Sequence, residues 1–346
     1  MIAHSEKSIA SVDELELLLS EPQESTVRAL AQLPGDVLVL GAGGKMGPTL
    51  ARMAKRASDL AATPRRVIAV SRFSSPQLPQ RLQSWGLETI RCDLLDPASL
   101  TNLPDAPNVI YMAGRKFGST GNEPLTWAVN SFLPGLVSDR FRHSRIAAFS
   151  TGNIYGLTPV SRGGSLESDA PNPAGEYAMS CLGRERILEH FSRTANTKVS
   201  ILRLNYATEL RYGVLLDIAQ HVYSGRSVEI SMGYLNAIWQ ADASAVALAS
   251  LLHASSPPFV VNITGPEVLS VRRVAEDFAE RFGKAVQFDG VEAPDALLSN
   301  AAKAFQLFGK LRVCYEQMTA WIADWIERGG ETLAKPTHFE ERAGRF

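Results

Sequence analysis

Asp36-Val-Leu-Val-Leu-Gly-Ala-Gly-Gly-Lys-Met-Gly47 decides the fold. Its apolar run, Val37 to Leu40, reads as a strand buried on both faces. A glycine-rich turn follows, then a helical stretch to about Ser58. Strand, glycine turn and helix are the parts of a dinucleotide phosphate cradle. The helix N-terminus offers free N–H groups and partial positive charge, and the glycines let a diphosphate approach the backbone. The glycines that fit are Gly41, Gly44 and Gly47, spaced G-x-x-G-x-x-G. The tighter G-x-G-x-x-G spacing fails, because its third place is Met46. Lys45 and Met46 lie in the same loop and join the expected cofactor contacts.

Outward from this loop the pattern continues. Arg66-Val-Ile-Ala-Val-Ser71, Glu88-Thr-Ile-Arg-Cys92, Asn108-Val-Ile-Tyr-Met112, Arg145-Ile-Ala-Ala-Phe-Ser150, Lys198-Val-Ser-Ile-Leu-Arg203 and Phe259-Val-Val-Asn262 read as further strands. Most are separated by room for a crossover helix. That order predicts an α/β fold with a Rossmann-type, doubly wound parallel sheet. Residues 1–34 form a helical extension. In it, Ser11-Val-Asp-Glu14 is a capping box opening the apolar stripe Leu15, Leu17, Leu18, Leu19, and Thr26 to Leu33 reads as a second helix. The nucleotide domain spans 35–205, with 236–267 returning to it. Segments 206–235 and 268–330 form a smaller, mostly helical C-terminal substrate lobe, with helices over Ser270–Phe282 and Tyr315–Arg328. Residues 331–346 are a polar tail that either docks or frays.

Composition narrows the function. The 346 residues carry 35 Lys and Arg against 36 Asp and Glu and are 45% hydrophobic. That apolar share suits a real core and excludes wholesale disorder. Balanced charge leaves no footprint for nucleic acid or an anionic membrane. No apolar run approaches the roughly 18–20 residues of a membrane span, and the start at Met1 lacks the apolar core of a signal peptide. Three scattered cysteines, Cys92, Cys181 and Cys314, build neither a disulfide framework nor a zinc site. A reducing, cytoplasmic setting is the reading. The six histidines show no metal-ligand spacing, so no metal is expected.

The end of the second strand bears on cofactor choice. An acid there accepts from ribose hydroxyls, whereas a cation with small polar neighbours suits a 2′-phosphate. Ser71-Arg72-Phe73-Ser74 has no acid, which favours NADP over NAD. After the third strand, Asp93-Leu94 is placed to meet adenine, the carboxylate accepting from the amine and Leu94 packing on the ring.

These motifs, in this order, resemble the extended short-chain dehydrogenase/reductases, the NAD(P)-dependent epimerase/dehydratase group acting mainly on nucleotide sugars. The resemblance runs from about Val37 to about Trp325. Besides the glycine loop and Asp93-Leu94, it rests on Met112-Ala113-Gly114 beside the cofactor and on Asn130 in the following helix. It continues through Phe149-Ser-Thr-Gly-Asn-Ile-Tyr-Gly156, Tyr177, and Val261-Asn-Ile-Thr-Gly-Pro266. Asn205 is an approximate match to a contact at the nicotinamide end. The resemblance implies transient oxidation of a sugar carbon, with Tyr177 as acid/base and Thr151, rather than Ser150, as its hydroxyl partner. It also implies a small-molecule sugar or nucleotide-sugar substrate and a homodimer built from helices on the sheet's flank. Arg115, Lys116 and Asn153 are read as substrate-side residues.

One departure stands out. The family pattern is Tyr-x-x-x-Lys, and here it is Tyr177-Ala-Met-Ser-Cys181. By the resemblance, the lysine's ammonium holds ribose hydroxyls and lowers the tyrosine pKa from about 10. A neutral thiol does neither. Arg184, one turn on, and the basic loop Gly114-Arg-Lys-Phe-Gly-Ser-Thr-Gly121 are candidate replacements. Three readings stay open: an active epimerase, dehydratase or reductase in which another cation replaces the lysine or whose step needs tyrosine only as an acid; a cofactor-binding protein without redox turnover, acting as a sensor or scaffold; or a different chemistry on the same fold. Cys181 is a filler thiol or a nucleophile favoured by nearby arginine.

Overall fold

The computed structural model describes residues 8–346. The start at Met1, read above for a targeting signal, and His4 lie outside the described residues. Seven parallel strands form the central sheet: β1 Val37–Leu40, β2 Val67–Ser71, β3 Glu88–Arg91, β4 Asn108–Tyr111, β5 Arg145–Thr151, β6 Lys198–Leu204 and β7 Phe259–Ile263. Their order is β7-β6-β5-β4-β1-β2-β3. The sheet is the doubly wound one expected. β1 pairs with both β2 and β4, Val39 facing Ala69 and Ile110, so the strand order reverses beside it. In such a sheet the crevice at the strands' carboxyl ends takes the ligand.

The unbroken apolar run of β1 has a direct cause. Side chains alternate across a strand. Val37 and Val39 enter one core, with Ala69, Ile110 and Ala147, while Leu38 and Leu40 enter the other, with Ile68, Val70 and Val109. Both faces are covered, so no position tolerates a polar residue. The helix α3, Gly47–Leu60, starts directly after the glycine turn.

The N-terminal extension packs on this body as α1 Val12–Leu19 and α2 Glu24–Gln32. Glu14 N donates to Ser11 Oγ at 3.2 Å, and the Glu14 carboxylate accepts from Ala10 N at 2.8 Å. The cap is formed, its return bond reaching one residue earlier than a standard box. The expected stripe is narrower. Leu15 and Leu19, four apart on one face, are buried, whereas Leu17 is exposed.

The C-terminal part combines two-residue strands with helices, among them α4 Gly175–Ala195, α5 Val214–Tyr223, α6 Gln240–Ala249, α7 Val271–Phe282 and α8 Tyr315–Glu327. Helix α6 is buried along its length between the sheet body and α2. Among the described residues no helix is long and apolar enough to cross a membrane. The tail beyond Gly330 has no regular structure, yet it docks across the mouth of the sheet.

Candidate active site

The glycine loop is built by close approach. Gly41 holds φ +91°, and a Cβ there would lie 2.7 Å from Ala113 N, so the loop and the end of β4 touch only because Gly41 is bare. At Gly47 a Cβ would meet the Ala42 carbonyl carbon at 2.6 Å. Gly44 differs, with only the Gly41 oxygen nearby, at 3.4 Å. Its open face, at the start of α3, is where a diphosphate oxygen fits. Lys45 leaves the loop with its Nζ 3.1 Å from the centre of the Tyr212 ring and 4.7 Å from that of Phe117. Burial, then the like charges of Lys335 and Lys116, push Lys45 down to about 7. Lys335 and Lys116 thus both act on Lys45 beside the bare loop, an arrangement suited to an anion.

At the far end of this crevice, Thr151 closes β5 and Tyr177 opens α4. The Tyr177 phenol faces both the Thr151 hydroxyl and the Cys181 thiol, and both act on its proton affinity. Thr151 Oγ1 accepts from Asn153 N at 3.2 Å and donates to Asn153 Oδ1 at 3.1 Å. Thr151 therefore caps the short 3-10 turn Gly152–Tyr155 while facing the tyrosine. Ser150 points elsewhere, donating to Glu185 Oε1 at 2.6 Å. Burial holds the Tyr177 phenol far above its ordinary range, with the Cys181 sulfur adding to the rise and Thr151 and Arg184 opposing it. Burial likewise pushes the Cys181 thiol up, so it stays protonated and packs with Ile154 and Tyr155 as filler.

Between the two ends runs the basic loop. Lys116 Nζ lies 5.5 Å from the centre of the Phe117 ring and 5.8 Å from that of Tyr177. Arg115 Nη2 instead closes the loop onto Gly118 O at 2.9 Å. Arg184 is buried and donates to Phe149 O at 2.6 Å, Asn130 Oδ1 at 2.9 Å and Asn130 O at 3.3 Å. Gly114 is required beside it, since a Cβ there would sit 2.9 Å from Arg184 Nη2.

Several expected contacts turn out to be structural. Asn130 accepts on Oδ1 from Arg115 N and Arg184 Nη2, both at 2.9 Å, and donates through Nδ2 to Arg115 O at 2.8 Å and Ser180 Oγ at 2.9 Å. An asparagine amide has two donors and two acceptor positions. All are used within the protein, so Asn130 ties the Arg115 backbone, Arg184 and Ser180 together. Asn205 Nδ2 is given to Leu297 O at 2.9 Å. Leu94 is buried in the core beneath the sheet, leaving Asp93 exposed alone. Arg72 is exposed beyond β2, and Ser71 Oγ accepts weakly from Phe73 N at 3.5 Å. A cleft of about 410 Å³ at this end is lined by Phe73, Thr89 and Arg91, not by Arg72. Met112 N donates to Leu40 O at 3.0 Å, continuing the β1–β4 ladder.

The tail brings in residues that motif reading missed. Thr337 N and Oγ1 donate to Asp217 Oδ2 at 2.7 and 2.5 Å. Arg342 pairs with Asp295 and donates to Asp295 O at 2.8 Å and Ser231 O at 3.1 Å. Gly344 and Gly175 pass so closely that neither admits a side chain. Phe346 then lies edge-on to Tyr177, ring centres 5.6 Å apart, with Lys116 Nζ 4.2 Å from its own centre. Its carbonyl accepts from Ser119 Oγ and Thr120 N, both at 2.9 Å. The available signal was three aromatic rings, His338, Phe339 and Phe346, in an otherwise polar tail. A cleft of about 820 Å³ runs between α5 and the tail, past Arg211, Asp217, His221, Lys335 and His338.

Residues 37–214 match the NAD dependent epimerase/dehydratase family. No curated protein sequence matches the chain. Among solved structures, MoeE5 in complex with UDP-glucose and NAD is similar at 21% identity and TM-score 0.67, covering 85% of this chain and 99% of that one. The Bacillus cereus UDP-glucuronic acid 4-epimerase, in complex with UDP-glucuronic acid and NAD, is similar at 19% identity and TM-score 0.69 over the same shares. The Thermus thermophilus UDP-glucose 4-epimerase complex with NAD is similar at 20% identity and TM-score 0.67, also over 85% and 99%. At such identities the likeness speaks of fold.

Proposed function

This chain belongs to the NAD dependent epimerase/dehydratase family, and on that premise we propose that it transforms a sugar or nucleotide sugar with a nicotinamide dinucleotide. The observation that carries this reading is the Thr151–Tyr177 hydroxyl pair at the carboxyl end of β5. A sugar hydroxyl entering there meets one group that takes or returns its proton and a second that holds its oxygen. When bound, the dinucleotide supplies hydride acceptance and return. Gly41, Gly44, Gly47 and Lys45 hold its diphosphate, and Asp93 meets the adenine. Buried tyrosine gives up its proton only with a cation nearby, so the reading requires a replacement for the lysine absent at Cys181.

NADP is the choice that Arg72 favours, whereas the similar solved structures carry NAD. Parallel fluorescence titrations with NADPH and NADH decide between them. Binding of either supports the site, and failure of both, with pre-bound cofactor excluded by absorbance of the denatured extract, removes the reading. The second reading, a cofactor-binding sensor or scaffold without turnover, is favoured by Cys181. Appearance of the C4 epimer of UDP-glucose, followed by NMR, supports turnover, and its absence with cofactor bound supports the second reading. A homodimer belongs to the proposal as well. Leu125, Trp127 and Phe132, with Met179 of α4, are exposed large apolar residues on adjoining helical segments of the sheet's flank. Sedimentation of wild type against Phe132→Glu tests it, an unchanged monomer in both cases removing the idea.

A further inference from the structure

The position of the missing lysine is filled by a thiol that cannot carry positive charge, so a cation must come from elsewhere. Two candidates face Tyr177. Arg184 has three donor contacts inside the protein, to Phe149 O, Asn130 Oδ1 and Asn130 O. It is buried behind Gly114, so it acts on the tyrosine by its charge but offers nothing to a ligand hydroxyl. Lys116 is the opposite case. Among the described residues no oxygen accepts from its Nζ, which rests only on the rings of Phe117, Tyr177 and Phe346. A half-buried ammonium on ring faces, with its N–H donors unclaimed, is poised to exchange those rings for hydroxyls.

We propose that Lys116, reaching across the crevice from the loop after β4, supplies the ammonium that the fourth residue after Tyr177 would otherwise supply. Asn130 is the positioning residue, because one amide fixes both the Arg115 backbone beside Lys116 and the Arg184 guanidinium. This inference rests on the cofactor reading above. The charged and titratable groups around Lys116 are Cys181 and Tyr177 on α4, Glu340 on the tail, Asp217 on α5 and Lys45 on the glycine loop, with Lys335 beyond Lys45. Burial pushes Lys116 down to about 8, against the pull of the Glu340 and Asp217 carboxylates. Lys45 is pushed further down, to about 7, in part by the Lys116 charge itself.

The test is NADH affinity by fluorescence titration between pH 6.5 and 9, with the melting temperature of each variant as the folding control. Wild type is expected to lose affinity as Lys116 deprotonates above pH 8, after a first loss near pH 7 from Lys45. Lys116→Met should weaken binding about tenfold at pH 7, abolish the Lys116 step and move the Lys45 step upward, since the Lys116 charge helps hold Lys45 down. Lys116→Arg should keep the affinity and also remove the upper step, because guanidinium does not titrate there. Adding Cys181→Lys to Lys116→Met should restore binding to within about threefold of wild type. A folded Lys116→Met variant with wild-type affinity and an unchanged upper step overturns this inference and leaves the cofactor reading standing. Wild type that binds neither NADH nor NADPH overturns both.

Discussion

The glycine loop and the Tyr177 corner face the same crevice, yet they are assembled in opposite ways. Most of the loop's parts lie within a dozen residues, Asp36 to Gly47, and its geometry follows from bare glycines after a buried strand. The Tyr177 corner draws on Thr151, Lys116, Asn130, Arg184 and Phe346, the last lying 227 residues from its partner Ser119. A local device is specified by spacing and cannot absorb substitution. A long-range device can lose one part, as at Cys181, and recruit another from a neighbouring element.

The largest expected effect is on the frame behind the long-range corner. Arg203 and Glu185 form a buried pair at 2.8 Å, to which Ser150 and Tyr155 add hydrogen bonds at 2.6 and 2.7 Å. Glu185→Ala strands the guanidinium, and breaking a buried pair this way costs about 3–5 kcal/mol. Denaturant unfolding should show that loss. A loss under 1 kcal/mol would mean that the corner does not depend on remote polar contacts.

Gly47→Val tests the local device. Its Cβ would meet Ala42 at 2.6 Å, and overpacking of this kind costs about 1–3 kcal/mol. NADH binding should disappear while the protein still folds. Retained binding at wild-type affinity would show that the loop tolerates what its spacing forbids.

A smaller effect is expected from removing residues 331–346. The Phe346 contacts with Tyr177 and Lys116 are worth about 1–2 kcal/mol together, and a ligand entering beside Tyr177 must displace them. The shortened chain should bind UDP-glucose about tenfold more tightly by calorimetry, with a smaller gain in NADH affinity through the released Lys116. Equal losses for both ligands would instead make the tail a shared wall of the crevice and blur the contrast between the regions.

The sheet was legible because each strand carries its own signal. Val37 to Leu40 is apolar at every position, and the seven strands lie where they were read, although the edge strand Glu88–Arg91 carries no apolar run. The stripe of α1 was overread at Leu17, since a run of leucines shows no period until the helix face is fixed by what it packs on. At the site, Tyr177 and Thr151 were legible from motif order, and the structure places the two side chains facing one another. Asn130 was legible as important but not in kind. Only its four satisfied hydrogen bonds show that it has no donor or acceptor left for a ligand.

By itself, the sequence determined the parallel sheet, the glycine cradle and the absence of a lysine after Tyr177, because apolar period, bare glycines and residue identity are local quantities. Only the tertiary structure decided which cations face Tyr177, that Arg184 is held by backbone and amide oxygens while Lys116 rests on rings, and that Phe346 lies against the tyrosine. Those are distances between residues far apart in the chain. They are set by how β4, α4 and the tail pack together, which no spacing along the sequence encodes.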